Sequence, residues 1–316
     1  MVAKKRISLL LILALISIAI YSFSGLNISN LNYVLSKRLV KILVICLTGG
    51  TIAVSSIMFQ TITNNRILTP SILGLDAVYM FIQTLVVFLF GANSKVITNN
   101  NINFGISTSL MIAFSFLLFK LLFRRENNNI FLLLLVGLIC GSLFQSLSSF
   151  MQTLIDPKAF QTVQDKMFAS FNNVNTNLII ISLIVILIII ICIYDYVDIL
   201  DVLALGKDQA INLGVDYDKN IKVILIVISI LVSISTALVG SITFFGIIAS
   251  NLTYQVMKTY KHRHILVGSI FLSIIALVLG QFIVERLLNF KTTLSVIINF
   301  IGGVYFLYLL LKESRA

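Results

Sequence analysis

The chain has 316 residues, 59% of them hydrophobic, and a mean hydropathy of +1.05. Lys and Arg total 23 and Asp and Glu 12, so 11% of side chains are charged, whereas soluble domains average ~25%. That composition excludes a soluble enzyme. Apolar runs long enough to cross ~30 Å of hydrocarbon recur along the chain. Backbone in lipid must satisfy its own hydrogen bonds, so the class is an all-α polytopic membrane protein. A β-barrel would alternate over ~10-residue stretches, and Leu178–Cys192 is apolar without alternation.

In chain order, Lys4, Lys5 and Arg6 precede an apolar run to Tyr21. It resembles a signal peptide, but no small-x-small cleavage site follows, which predicts a retained first helix. Ten hydrophobic segments are expected in all, near 7–26, 39–61, 71–92, 104–123, 130–155, 177–197, 221–240, 242–257, 265–288 and 294–312. The eighth is short and holds Ser250, Asn251 and Thr253, which suggests a broken or re-entrant element buried in protein. Asn99–Asn103 and Asn127–Asn129 read as short loops. The whole chain, 1–316, reads as a single transmembrane domain containing one long polar loop at 195–220.

A net charge of +11 raises the question of nucleic acid. The basic residues, however, are scattered through short loops rather than gathered in one stripe, and orientation in the bilayer explains them better. Ten crossings starting inside put both termini in the cytoplasm. Fifteen cations then lie inside, Lys4, Lys5, Arg6, Arg66, Lys120, Arg124, Arg125, Lys207, Lys219, Lys222, Lys258, Lys261, Arg263, Lys312 and Arg315. Eight lie outside, Lys37, Arg38, Lys41, Lys95, Lys158, Lys166, Arg286 and Lys291.

The spans are poor in chemistry. Asp76, just past Pro70, reads as a solvated helix end, and Glu285 as a local ion pair with Arg286. His262 and His264 fall in the loop Lys258–His264 with no Cys or carboxylate spaced to join them, so no metal site is expected. Cys46, Cys140 and Cys192 are small apolar packing residues. No Walker A sequence is present, since Gly206–Lys207 is followed by Asp208. Energy for transport would therefore come from another subunit.

Two polar patterns stand out. The loop 195–220 carries six aspartates and has Gly206 and Gly214 bracketing about two helical turns. It reads either as a solvated loop or as two short helices forming a knob that seats in another protein. In the fifth segment Ser142, Gln145, Ser146, Ser149, Gln152 and Thr153 share one helical face. That face suits either helix packing or a wet passage, and the bulky glutamines favour the passage.

From Arg38 onward the chain resembles the FecCD family of iron-chelate permeases, which includes the vitamin B12 importer. The family's first signature appears as Arg38-Leu39-Val40-Lys41, Gly49, Gln60, Asn65-Arg66-Ile67 and Pro70-Ser71-Ile72-Leu73-Gly74. The second appears as Leu205-Gly206-Lys207-Asp208-Gln209-Ala210-Ile211-Asn212-Leu213-Gly214-Val215, and the third as Gly240-Ser241-Ile242-Thr243-Phe244-Phe245-Gly246. Departures are Arg66 and Ser241 where the family has proline, and Ser250-Asn251 where many members have Pro-His. Segments 64–70, 168–172 and 258–262 resemble a subgroup importing catecholate-type siderophores such as petrobactin, in which two different permease chains pair.

The resemblance implies a type II ATP-binding-cassette (ABC) importer permease in a bacterial cytoplasmic membrane. It implies partners: a second permease, two ATPase subunits that hold ATP and Mg, and an extracytoplasmic binding protein that delivers a ferric siderophore. No cofactor, metal or nucleic acid would be bound by this chain, which would not itself be an enzyme. Coupling to the ATPase would fall to Leu205, Gly206, Lys207, Asp208, Ala210, Leu213 and Gly214. Docking of the binding protein would fall to Arg38, Lys41 and Arg286, and the pathway to Ser142, Gln145, Ser146, Ser149 and Gln152. The rivals are a stand-alone carrier driven by an ion gradient, against which the missing intramembrane carboxylates argue, and the same fold importing another iron chelate, haem or vitamin B12.

Overall fold

The computed structural model describes residues 2–25, 31–122, 130–172 and 174–313. Arg124, Arg125, Arg315 and the Asn127–Asn129 loop lie outside the described residues. Within them the protein is all helical apart from one isolated β-bridge, Phe168 to Ser241. In order the helices are α1 (Val2–Phe23), α2 (Leu31–Thr63), α3 (Leu75–Phe90), α4 (Lys95–Thr98), α5 (Asn100–Leu122), α6 (Ile130–Leu154), α7 (Pro157–Met167), α8 (Thr176–Ile193), α9 (Tyr196–Leu203), α10 (Lys207–Asn212), α11 (Tyr217–Val239), α12 (Phe245–Met257), α13 (His262–Arg286) and α14 (Leu294–Glu313).

Each of the ten expected segments is a helix: α1, α2, α3, α5, α6, α8, α11, α12, α13 and α14. Eight are long and apolar enough to cross a membrane. The exceptions are α3, with 16 residues, and α12, with 13. At 1.5 Å per residue α12 is ~20 Å long, too short to span, as its length in the sequence implied. It begins at a corner rather than at a surface. Gly240 ends α11 with φ of +101°, and a Cβ there would meet the Ala169 backbone. Ser170 N–H donates to the Val239 carbonyl at 2.8 Å beside it.

The helices α2 and α11 form the centre, and α6 is the least buried span. Lipid-facing helices gain nothing hydrophobic by associating, so close approach and hydroxyl bonds hold them together. Both helices bury hydroxyls, Thr48, Thr51 and Ser55 on α2 and Ser229, Ser233 and Ser235 on α11, and Thr51 Oγ1 bonds Ser235 Oγ between them. Gly137 and Gly141 on α6 are four apart. They let the turn Pro70–Leu73 and Gly74 lie so close that a Cβ at Gly137 would sit 2.9 Å from Leu73 Cα.

The molecule therefore has two ends. One carries α9, α10 and the α12–α13 turn, and Arg6 Nη1 reaches the last carbonyls of α12 there, Val256 at 3.1 Å and Met257 at 2.8 Å. The other carries α7 and the α1–α2 and α13–α14 turns, where Arg286 meets Ser24.

Candidate functional site: a knob, a polar helix face and a basic end

The knob is built as two short helices meeting at a glycine. Leu203 and Ala210 are buried and anchor it, while Leu205, Ile211 and Leu213 are each more than half exposed. Gly206 (φ +98°) and Gly214 (φ +81°) turn the chain at either end of α10, and a Cβ at either would meet nothing within 4 Å. Both glycines are required by backbone conformation alone, and the space around them is open. Lys207 and Asp208 are exposed, with Lys207 Nζ 5.8 Å from the Tyr217 ring. Of the residues expected to couple to the ATPase, Ala210 is fully buried and holds the knob in place from beneath. Ile211, which sequence reasoning passed over, joins Leu205 and Leu213 in an exposed apolar cap.

The polar face of α6 is real and faces away from the chain's own core. Ser142, Gln145, Ser146 and Ser149 are exposed, and Gln152 is half-buried with its amide donating to Thr84 Oγ1 at 3.2 Å. Ser142 and Ser146 hydroxyls donate to carbonyls of their own helix, Leu138 at 3.0 Å and Ser142 at 2.9 Å. Their protons are thereby occupied, leaving weakly basic oxygens on the surface. Ser148 is buried on the opposite side and belongs to packing.

At the opposite end the three expected docking cations separate. Arg38 is buried, 8% exposed, and its Nη1 donates to the carbonyls of Tyr21 (3.1 Å), Ser22 (2.7 Å) and Ser24 (2.9 Å). Those are orphan carbonyls at the end of α1, where a cation also complements the helix dipole. The docking assignment for Arg38 is therefore corrected to a capping role, because its guanidinium faces inward. Lys41 Nζ lies 2.7 Å from Glu285 Oε1, an oxygen that also accepts from Tyr21 Oη (2.8 Å) and Gln281 Nε2 (2.9 Å). Glu285 thus pairs with Lys41 across helices rather than with its neighbour Arg286. Arg286 is exposed, and its Nη2 donates to Ser24 O at 2.5 Å.

A cavity of about 530 Å³ opens at the same end, with Asn100, Asn103, Asn175 and Lys166 among its walls. Burial holds the Lys166 ammonium below its usual pKa. Asp76 is corrected as well. It faces a crevice rather than solvent, lined also by Ser71 and Thr243, and its Oδ2 has no hydrogen-bond partner there. His262, expected in a solvated loop, is 4% exposed and begins α13. Among the described residues no group of three His, Cys, Asp or Glu is placed to hold a metal.

Among the described residues, ten hydrophobic helices, the half-length α12 among them, and an exposed knob between α8 and α11 define a polytopic membrane protein. The FecCD transport family model matches residues 6–312, and the chain belongs to that family. It is 56% identical over 311 residues to the petrobactin import system permease protein YclO of Bacillus subtilis, covering 98% of each chain. It is 34% identical over 280 residues to the petrobactin import system permease protein FatC of Bacillus anthracis, covering 89% of this chain and 79% of that one. Among solved structures it superposes on a metal-chelate type ABC transporter in an inward-facing conformation with a TM-score of 0.78. The identity is 23%, and 98% of this chain and 99% of that one are covered.

Proposed function

We propose that this chain is the permease subunit of an ABC importer that carries a ferric siderophore of the petrobactin, catecholate type across a bacterial cytoplasmic membrane. The observation that supports it most is the near full-length identity of 56% to a petrobactin import system permease. Two ATPase subunits would supply the energy and hold ATP and Mg, with no nucleotide or metal on this chain. The exposed cap of Leu205, Ile211 and Leu213 fits a groove on such a subunit. A second, related permease chain would face the polar side of α6, so that Ser142, Gln145, Ser146, Ser149 and Gln152 line the passage between them. Left exposed by this chain except at Gln152, that face needs either lipid or a partner, and its glutamines disfavour lipid.

The knob end is then cytoplasmic, with both termini, in keeping with fifteen cations against eight. The opposite end receives the binding protein. With Arg38 capping α1 and Lys41 paired, Arg286 is the docking cation left exposed. ATP binding and hydrolysis on the partner would rock the helices between outward and inward openings.

The test is growth and uptake in a strain lacking this gene, on purified ferric catecholate, hydroxamate and citrate chelates. Loss restricted to ferric petrobactin and its catecholate relatives is the expected result. Unimpaired petrobactin uptake, or uptake by vesicles that lack any ATPase and carry only an ion gradient, would overturn the proposal.

A further inference from the structure

Three elements converge at the knob end on one buried imidazole. Asp201 lies on α9, His262 is the first residue of α13, and Thr61 sits in the last turn of α2. Asp201 Oδ1 accepts the backbone N–H of His262 at 2.7 Å and lies 2.7 Å from its ring Nδ1. The other ring nitrogen, Nε2, lies 2.8 Å from Thr61 Oγ1. Thr61 is itself tied to its helix, its hydroxyl 2.8 Å from the Ile57 carbonyl. Both faces of the ring edge are thus occupied, one by the knob's supporting helix and the other by α2.

A second link runs beside the first. Arg263 Nη2 approaches Asp198 Oδ2 at 3.8 Å and its guanidinium stands 5.3 Å from the Tyr194 ring. That pair is exposed, and exposed pairs contribute little. The link through His262 is the stiff one, because imidazole is rigid, its hydrogen bonds are short and the ring itself is buried, with the Asp201 side chain 29% exposed at its outer edge.

From this geometry we propose that Asp201, His262 and Thr61 form the strut through which movement of α9 and α10 reaches α2 and α13. The inference rests on the reading of α10 as the ATPase dock. The knob touches the partner, but α10 has only six residues and ends in glycines at both sides. A push on it would be lost in those turns unless the adjoining α9 were fixed to the spans. The hydrogen bonds at His262 fix it, to the central helix α2 on one side and to the start of a 25-residue span on the other. These are positioning residues, since none of them touches nucleotide or cargo.

The experiment uses the complete complex, two permeases and two ATPases in proteoliposomes, with its binding protein and radioactive ferric petrobactin. Variants are Asp201→Asn, His262→Gln and Thr61→Val, with Asp201→Glu as the conservative rescue. Read together are uptake, ATP hydrolysis and retention of the ATPase in the purified complex. Expected for Asp201→Asn and Thr61→Val is uptake lowered about tenfold, within the ~5–150-fold range that coupling between sites spans. ATP hydrolysis and ATPase retention should stay at wild-type level, and Asp201→Glu should recover part of the uptake. Thr61→Val keeps side-chain shape and removes only one arm, so it tests the strut even if Asp201→Asn misassembles. Uptake and hydrolysis falling in the same proportion, or wild-type uptake in Thr61→Val, would overturn the strut. Loss of the ATPase from the Asp201→Asn complex would also overturn it, by making Asp201 a support for the dock's shape. The dock itself is checked separately with Leu205→Glu and Leu213→Glu. If those retain the ATPase, the docking reading fails whatever the strut variants do.

Discussion

Arg38→Ala distinguishes a residue that holds the fold from one that greets a partner. Nη1 has two hydrogens facing three carbonyls, those of Tyr21, Ser22 and Ser24. About two charge-assisted bonds are lost, at ~1.5–3 kcal/mol each. At 8% exposed the site has little water to replace them, so the expected loss is ~3–6 kcal/mol. For a chain of this size ~2 °C of melting temperature accompanies each kcal/mol, which gives a drop of about 6–12 °C. The chain has no tryptophan, so the measurement is a size-exclusion melting curve of the detergent-purified protein. Arg38→Lys should fall between alanine and wild type, because a point ammonium keeps the charge and loses the fork. Arg286→Ala, exposed at the same end, should melt within ~1–2 °C of wild type, as surface substitutions do. An unchanged melting curve for Arg38→Ala, together with weakened capture of the binding protein, would refute the capping role and restore Arg38 to the docking face.

Valine at Gly206 or Gly214 should abolish uptake while leaving the protein in the membrane: the positive φ costs a β-branched residue roughly 1–2 kcal/mol locally, and no neighbouring atom is displaced. Normal uptake by both variants would remove α10 from coupling. For the Lys41–Glu285 pair at 2.7 Å, Glu285→Gln and Lys41→Met should each destabilise more than the double variant implies by addition, since each single change strands a half-buried charge; additive melting shifts would mean that the pair contributes nothing. Iron should cross still wrapped in its chelator, because bare ferric ion demands hard oxygen ligands and α6 offers only Ser142, Gln145, Ser149 and Gln152. Double-label uptake checks this, with Ser149→Phe expected to block entry sterically, and iron entering without the siderophore label would sink it.

Helix content and helix positions were readable because each span is a long apolar run bounded by charge or asparagine, a signal that depends on composition alone. Gly206 and Gly214 mark a segment of about two helical turns, but their spacing alone leaves a solvated loop and a two-helix knob both open, and the resemblance to the family is what favours the knob. The pattern of partners was not readable. Arg38 lies seventeen residues from Tyr21 and Glu285 lies 244 from Lys41, and no local periodicity says that α1, α2 and α13 meet at one end. His262 looked solvated because its neighbours Lys261, Arg263 and His264 are polar. What buries it is Thr61 of α2 and Asp201 of α9, both far away in sequence. Asp76 is enclosed for a similar reason: Thr243 and Gly246, which line its crevice, come from the α11–α12 corner, which only the fold brings beside α3. The glycine pair 137 and 141 is legible in the sequence, since four-residue spacing of small residues is a recognisable sign of close helix approach.

Two of the departures from the family's proline pattern, Arg66 and Ser250-Asn251, are linked through one carbonyl. Gln60 Nε2 donates to Arg66 O at 2.7 Å and lies 2.8 Å from Ser250 Oγ, while Asn251 Nδ2 reaches the same Arg66 carbonyl at 3.2 Å. A proline at 250 would remove a backbone donor from the middle of α12, which here runs unbroken from Phe245 to Met257. Serine keeps that helix straight and supplies a hydroxyl, and Gln60 in turn bridges it to the turn after α2. Gln60 and Ser250 therefore depend on one another, and their stability effects should not add. Gln60→Ala leaves a buried hydroxyl and a carbonyl each short of a donor, a loss of ~1–3 kcal/mol. Ser250→Ala then removes a hydroxyl that has already lost Gln60 and keeps only its bond to the Ile247 carbonyl at 3.2 Å, so the double variant should fall short of the sum by ~0.5–3 kcal/mol. Melting curves of the four proteins measure this directly. Additivity within ~0.5 kcal/mol would mean that the turn and α12 are held independently, and that Ser250 and Arg66 replaced proline for unconnected reasons.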